Sequence, residues 1–182
     1  MDSCPWQNFI MPILNFSDDD PLTDGRQSDR AMEIRRGVVR HFQKLAIAIV
    51  AELPLASGRR ADIIGLDRRG NFFIVEIKSS VADFRADSKW PEYLGFCDAF
   101  FFATHPDVPA EIFPENHGLI VADGYGAEII RPAQEQKMAG ATRRALTLRF
   151  ARSAAHRLER VLAHCEITGR EMPEDLVVGG DD

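Results

Sequence analysis

Between residues 29 and 44, apolar residues recur at three- and four-residue intervals, which is the spacing of one face of a helix. The members of this stripe are Ile34, Val38, Phe42 and Leu45. Ser28 stands just before the segment, and a serine hydroxyl at that position accepts a hydrogen bond from the free N–H groups of a helix start. The pattern therefore predicts a helix over residues 29–44 with the stripe buried.

Three segments rich in β-branched and apolar residues follow, and short turns separate them. They cover residues 47–55, 60–67 and 71–79, with Ser57-Gly58 in the first turn and Arg68-Arg69-Gly70-Asn71 in the second. Short apolar runs bounded by such turn residues are typical of strands that follow one another in a meander.

The rest of the chain continues the alternation of helical and strand patterns. A helical region over residues 81–97 breaks near Pro91, and strand patterns cover 98–104, 118–122 and 127–130. A closing helix is predicted over 141–165, with Leu146, Phe150, Ala154, Leu158, Val161 and Cys165 facing inward. These elements predict an α/β fold in the order α-β-β-β-α-β, with a mixed central sheet, extra short strands and a closing C-terminal helix.

The two ends of the chain have a different composition from the middle. Residues 1–27 lack periodicity and contain Asp18-Asp19-Asp20-Pro21, so we expect a flexible leader there. Residues 166–182 are acidic and glycine-rich, and we expect a disordered tail. Residues 28–165 are expected to form a single domain.

Composition narrows the class of protein. At 182 residues, with 45% hydrophobic and 27% charged side chains, the chain is typical of one globular domain. No apolar run reaches the roughly 18 residues needed to span a bilayer, and no secretory signal is visible. The cysteines (Cys4, Cys97 and Cys165) lack CxxC spacing, so free thiols and a cytoplasmic location are expected.

The net charge of −6 hides an uneven distribution. Residues 34–164 carry 19 basic and 15 acidic side chains, whereas both ends are acidic. A mildly basic body is compatible with a polyanionic partner such as a nucleic acid but does not require one.

Ionised side chains interrupt two of the predicted strands. Glu76 and Lys78 lie two positions apart in an otherwise apolar run, so they point to the same face. Asp62 lies in the preceding strand. Burying such groups is costly unless they are paired or bound to a metal.

The two acids suit a divalent metal ion. Mg²⁺ takes oxygen ligands, commonly one or two carboxylates with water and substrate phosphate. Asp62 and Glu76 on paired strands can converge on such an ion, and the carbonyl of Ile77 can add a third oxygen. Lys78 is then placed to hold the attacking water and contact the phosphate. The pattern predicts metal-assisted hydrolysis of a phosphodiester.

The spacing of Asp62 and Glu76-Ile77-Lys78 resembles the PD-(D/E)XK nuclease superfamily, which has a restriction-endonuclease-like core. Three longer blocks resemble the MmcB-like family of DNA repair proteins over roughly residues 29–165. They are Gly58-Arg59-Arg60-Ala61-Asp62, Val75-Glu76-Ile77-Lys78-Ser79-Ser80 and Phe84-Arg85-Ala86-Asp87-Ser88-Lys89-Trp90-Pro91-Glu92-Tyr93. The resemblance implies a Mg²⁺- or Mn²⁺-dependent nuclease fold with Asp62 and Glu76 as ligands and Lys78 as the catalytic lysine. Ala61 stands where the superfamily name expects proline.

Other polar residues are candidates for supporting roles. Glu52, in the first predicted strand, either joins the catalytic group or lies on a solvated strand face. Arg59, Arg60 and Lys89 are predicted to bind substrate phosphates, and the alternative for each is an ordinary surface charge. Trp90 and Tyr93 either pack in the core or stack on an unpaired base.

Three functions remain open from the sequence, and the last of them is a structural or protein-interaction domain with affinity for neither metal nor DNA. The first is a DNA repair nuclease whose partners are DNA and other repair proteins. The second is a non-catalytic DNA-binding module that keeps the nuclease fold. For Asp62, Glu76 and Lys78 themselves, the alternative is a structural ion pair at a strand end.

Overall fold

A computed structural model describes residues 28–169, and its first element is the predicted helix α1 (Asp29–Lys44). Ser28 caps it, because its hydroxyl oxygen accepts a hydrogen bond from the N–H of Ala31 at 3.2 Å. Ile34, Val38 and Phe42 are buried as expected. Leu45 is exposed, so its predicted burial is wrong. It is the C-cap of α1, where the chain leaves the helical path that the spacing assumed.

Six strands form one mixed sheet in chain order. They are β1 (Ala48–Pro54), β2 (Arg60–Leu66), β3 (Phe72–Lys78), β4 (Ala99–Thr104), β5 (Gly118–Ala122) and β6 (Ala127–Arg131). The first three strands are antiparallel, β4 and β5 run parallel to β3, and β6 is antiparallel to β5. The predicted α-β-β-β-α-β order, mixed sheet, extra strands and closing helix are confirmed.

The region between β3 and β4 contains two short helical pieces rather than one helix. They are α2 (Val81–Ala86) and a 3-10 helix (Trp90–Phe96) that has Pro91 in its first turn. Proline lacks an N–H and fits the start of a helix, which explains why the predicted break falls there.

Both faces of the sheet are covered. On one face α1 packs against β2, β3 and β5 through residues such as Ile34, Ile63 and Ile120. On the other, Phe72 and Phe102 meet the 3-10 helix and the closing helix α3 (Gly140–Thr168). Coverage of both faces explains why β3 and β4 are almost entirely apolar, and it makes any ionised residue in β3 conspicuous.

The closing helix departs from its predicted contacts. Leu146 and Phe150 are buried and Ala154 packs beside them, but Leu158 and Val161 are exposed. Their predicted inward orientation is wrong, because the helix continues past the core residues that its first half covers. Cys165 is half-buried.

The ends of the described chain lie close to the predicted domain boundaries. The closing helix reaches Thr168, so residues 166–168, assigned to the tail, are helical. The remainder of the predicted tail and the predicted leader, residues 170–182 and 1–27, lie outside the described residues. No helix within residues 28–169 is both long and apolar enough to cross a membrane.

Candidate active site

The candidate site is built where β2 and β3 meet. Ile63 is paired with Val75, and the same antiparallel register continued by one position sets Asp62 opposite Glu76. One carboxylate oxygen of Asp62 (Oδ2) accepts a hydrogen bond from the N–H of Ile77 at 2.8 Å. The structure therefore brings the two predicted acids together.

Lys78 lies buried between two carboxylates. Its Nζ is 3.1 Å from Oε1 of Glu76, as the alternation along β3 predicts, and 2.6 Å from Oδ2 of Asp87. Burial opposes the ammonium form, but the negative charges of Glu76 and Asp87 outweigh it and raise the pKa of Lys78. The lysine is thus held as a cation.

Asp87 contacts the candidate site although it is not among the site residues predicted from the sequence. It ends α2, and its second carboxylate oxygen accepts a hydrogen bond from the N–H of Lys89 at 2.7 Å. The lysine's positive charge and this N–H keep the pKa of Asp87 below its usual value, although partial burial opposes them. The sequence feature that pointed to Asp87 was its position in the block that follows β3. In that block a short helix turns the chain back over the strand.

The carboxylates of Asp62 and Glu76 are in an unfavourable environment for two negative charges. Burial, together with the neighbouring charge of Asp62, raises the pKa of Glu76 to about 8. Burial also raises the pKa of Asp62 to about 6, in spite of the hydrogen bond from Ile77. Oε2 of Glu76 is buried and has no hydrogen-bond partner within the described part of the chain. A buried carboxylate oxygen without a donor is a rare and costly feature that calls for an explanation.

Glu52 is buried beside the same site. The alternative that it lies on a solvated strand face is therefore wrong. Its φ of 51° is left-handed, a conformation that costs a non-glycine residue about 1–3 kcal/mol and is concentrated at functional sites. It lies between the pairs Ala51–Ile63 and Leu53–Ala61, opposite Asp62, and its charge contributes to the raised pKa of Asp62.

The predicted phosphate-binding side chains lie at the rim and contact carboxylates. Nε of Arg60 is 2.5 Å from Oε2 of Glu52. Nε and Nη2 of Arg59 donate to the two carboxylate oxygens of Glu92 at 3.0 and 2.8 Å. Lys89 is exposed beside them. Their binding of substrate stays a prediction.

The two aromatic residues of this region belong to the core. Tyr93 is buried and donates a hydrogen bond to the carbonyl of Arg60 at 3.0 Å. Trp90 stacks on Phe100 with ring centroids 5.8 Å apart. Tyr93 therefore fixes the backbone beside Asp62, and neither ring is presented as a platform for an unpaired base.

A separate cavity of about 510 Å³ opens at the opposite end of β3, where Phe73, Asp98 and Arg143 contribute to its wall. Asp98 accepts hydrogen bonds from Arg143 and from the N–H of Phe72, which anchors the closing helix to the start of β3. These contacts explain Asp98 and Arg143 as structural residues of the cavity wall.

The geometry can now be compared with known proteins. The family model described as "DNA repair protein MmcB-like" matches residues 18–165. The chain belongs to the MmcB-like DNA repair proteins. The family membership predicted from the three sequence blocks is confirmed.

Two solved structures are similar to this MmcB-like chain. The SPO1766 protein of unknown function from Silicibacter pomeroyi is 43% identical over 74% of this chain and 92% of its own, with a TM-score of 0.71. A repair endonuclease from Pyrococcus abyssi is 18% identical over 48% and 41% of the two chains, with a TM-score of 0.28, which is too low to carry an argument. No curated protein matches the chain.

The donor set of the site fits a hard divalent cation. Asp62 and Glu76 supply carboxylate oxygens, and Oε2 of Glu76 lies within protein and lacks a donor. No group of three or more His, Cys, Asp or Glu side chains is arranged for a metal within residues 28–169. A site with two carboxylates that leaves other positions to water and phosphate is the arrangement that Mg²⁺ favours.

The raised pKa values predict how stability depends on pH. The native state retains protons that the unfolded chain releases near pH 4.5, so the free energy of unfolding of metal-free protein should fall as pH rises towards about 8. Glu76→Gln should reduce this loss, leaving the part that Asp62 contributes, and be more stable than wild type at pH 8, by on the order of 1–2 kcal/mol, but not at pH 5. Urea unfolding in EDTA at both pH values measures the difference.

Glu128→Gln, at an exposed glutamate of β6, is the matched control and should follow the wild type. Equal pH dependence in Glu76→Gln and wild type would show that the carboxyl group of Glu76 titrates normally.

Proposed function

We propose that this MmcB-like protein is a metal-dependent deoxyribonuclease that hydrolyses phosphodiester bonds during DNA repair. The observation that carries the proposal is the buried Glu76 oxygen without a hydrogen-bond donor, next to Asp62 on one side and the Lys78 ammonium on the other. Two crowded carboxylates beside one cation are stabilised by a second, divalent cation.

The metal would be Mg²⁺ or Mn²⁺, held by Asp62, Glu76 and the carbonyl of Ile77. Such an ion lowers the pKa of a bound water and neutralises charge on the phosphoryl group. The same residues are those that the PD-(D/E)XK pattern assigns to metal binding. Glu52 adds a further negative charge behind Asp62 and increases the attraction for a divalent cation.

Lys78 would act as a fixed positive charge rather than as a base. Asp87, 2.6 Å from Nζ, would keep its contact with the lysine when Glu76 holds the metal. A lysine held in this way is placed to stabilise the negative charge that builds up on the phosphate in the transition state. Asp87 is then a positioning residue that acts through Lys78.

DNA would approach over the rim formed by Arg59, Arg60 and Lys89. Both arginines contact carboxylates in the free protein, so a phosphate must replace Glu92 or Glu52 as their partner. Guanidinium groups suit this exchange because they bind carboxylate and phosphate with the same planar geometry. Phosphate contacts of this kind position DNA without reading its sequence.

A non-catalytic DNA-binding module is the second candidate. The observation that favours it is that no group of three or more His, Cys, Asp or Glu side chains within residues 28–169 is arranged to hold a metal. A protein with this function would bind DNA equally well in EDTA and in Mn²⁺, and would cleave none.

Replacing the central carboxylate separates these functions. Glu76→Ala should reduce Mn²⁺-dependent cleavage by roughly 100-fold or more, because the metal loses one of its two carboxylates, while DNA binding in EDTA is retained. The assay is a panel of linear, nicked, flapped and branched DNA with Mg²⁺ or Mn²⁺, with Lys78→Ala run beside it.

Glu128→Ala, at the exposed β6 glutamate, should cleave like the wild type and controls for purification and folding. Wild-type protein that binds DNA but cleaves none of these substrates supports the binding module instead. Activity that survives Lys78→Ala unchanged would place the catalytic site elsewhere.

Replacing Asp87 tests the positioning of Lys78. Asp87→Ala should lower kcat by about 10- to 100-fold with little change in KM, since the residue contacts the catalytic lysine and not the DNA. Asp87→Glu should restore part of the rate because it returns a carboxylate to Nζ. Steady-state kinetics on a cleaved substrate measure both constants.

Asp107→Ala is the control, because this exposed aspartate pairs with Arg30 outside the site. A kcat of Asp87→Ala equal to that of the wild type would rule out the positioning role.

A further inference from the structure

The closing helix exposes apolar side chains along much of its length, and the fold does not use them. Leu148 is 59% exposed, Leu158 46% and Val161 43%, although the helix is anchored to the core by Leu146 and Phe150. Isolated exposed apolar residues are common in proteins, but several along one line of a helix indicate a contact surface.

The exposed residues follow a regular spacing. We call the following set the α3 seam: Leu148, Ala151, Ala155, Leu158, Leu162 and Cys165. Their intervals are three, four, three, four and three residues, which is the alternation of a and d positions in a coiled coil. The set spans 17 residue steps, or about 26 Å at 1.5 Å per residue. The four residues Leu148, Ala151, Ala155 and Leu158 are exposed, and Leu162 and Cys165 are half-exposed.

The order of large and small residues in the seam suits the antiparallel pairing of two copies of the helix. When two copies of the helix are placed antiparallel about a twofold axis, Leu148 faces Cys165, Ala151 faces Leu162 and Ala155 faces Leu158. Every layer then combines one large residue with one smaller one, which is how facing positions interdigitate. The twofold axis generates each layer twice, as a self-complementary interface requires.

The charges beside the seam agree with the same pairing. Arg152 and Glu159 occupy the e positions, and in the antiparallel register they lie about 3 Å apart along the axis, so that each copy's arginine meets the other copy's glutamate. The other flank carries Ala154 and Val161, which face each other and add apolar area. In a parallel pair Arg152 would lie beside Thr147 and Glu159 beside Ala154, and both of these partners are uncharged. Charge complementarity therefore favours the antiparallel arrangement.

We propose that the α3 seam is the docking surface for a second copy of this chain, which forms an antiparallel helix pair with two Arg152–Glu159 contacts. The partner is a second copy because the seam complements itself in both size and charge. The dimer is independent of the catalytic proposal, since none of its residues lies among the proposed metal ligands.

Charge reversal gives the sharpest test. Sedimentation equilibrium of the full chain at about 100 µM should show a dimer, a concentration at which a micromolar complex is populated. Arg152→Glu and Glu159→Arg should each raise the dissociation constant by about tenfold, because each creates two repulsive pairs. The double variant Arg152→Glu/Glu159→Arg should restore the wild-type constant.

Leu158→Glu, which places a charge in the central layer, should leave a folded monomer, and circular dichroism checks the fold. His156→Glu adds the same charge on an exposed position outside the seam and should remain dimeric. Two outcomes overturn the proposal. One is a wild-type protein that is monomeric at about 100 µM, in which case another segment of the chain or another partner covers the seam. The other is a dimer that is unaffected by the single reversals or not restored by the double variant.

Discussion

The site depends on the electrostatic balance around Glu76. Its carboxylate lies in a strand covered on both faces, close to Asp62, and one of its oxygens contacts Lys78. Burial raises the pKa values of Glu76 and Asp62, and the single ammonium of Lys78, shared with Asp87, does not offset this effect. Structural ion pairs are normally arranged so that every buried oxygen has a donor. Oε2 of Glu76 departs from this rule within the described residues, and the divalent cation of the proposed function would satisfy it.

The fold fixes the positions of the charged side chains of the site relative to one another. The β2–β3 register sets Asp62 against Glu76, and α2 ends where Asp87 can reach Lys78. At the other end of β3, Asp98 and Arg143 join the strand to the closing helix. Buried hydrogen-bonded networks of this kind restrict side chains to one arrangement, which is what a metal site requires of its ligands before the metal binds.

Much of the fold and the centre of the site could be predicted from the spacing of apolar and charged residues within each segment of the sequence. Alternation along β3 is enough to set Glu76 and Lys78 on one face, and the short turn after β2 brings Asp62 alongside. Asp87 could not be predicted in this way, because its contact depends on the length of α2 and on how the chain returns over β3. The left-handed backbone of Glu52 has no local sequence signal either. Leu158 and Val161 were misassigned because helical spacing shows that a face is apolar but not which surface covers it.

Direct observation of the ion tests the central claim most directly. Crystals grown with Mn²⁺ and measured for anomalous scattering should show one peak between the carboxylates of Asp62 and Glu76, at about 2.0–2.2 Å from an oxygen of each. The same experiment with Glu76→Gln should show a weaker peak or none. A protein saturated with Mn²⁺ that shows no peak between these two side chains, or a peak only elsewhere, would contradict the account.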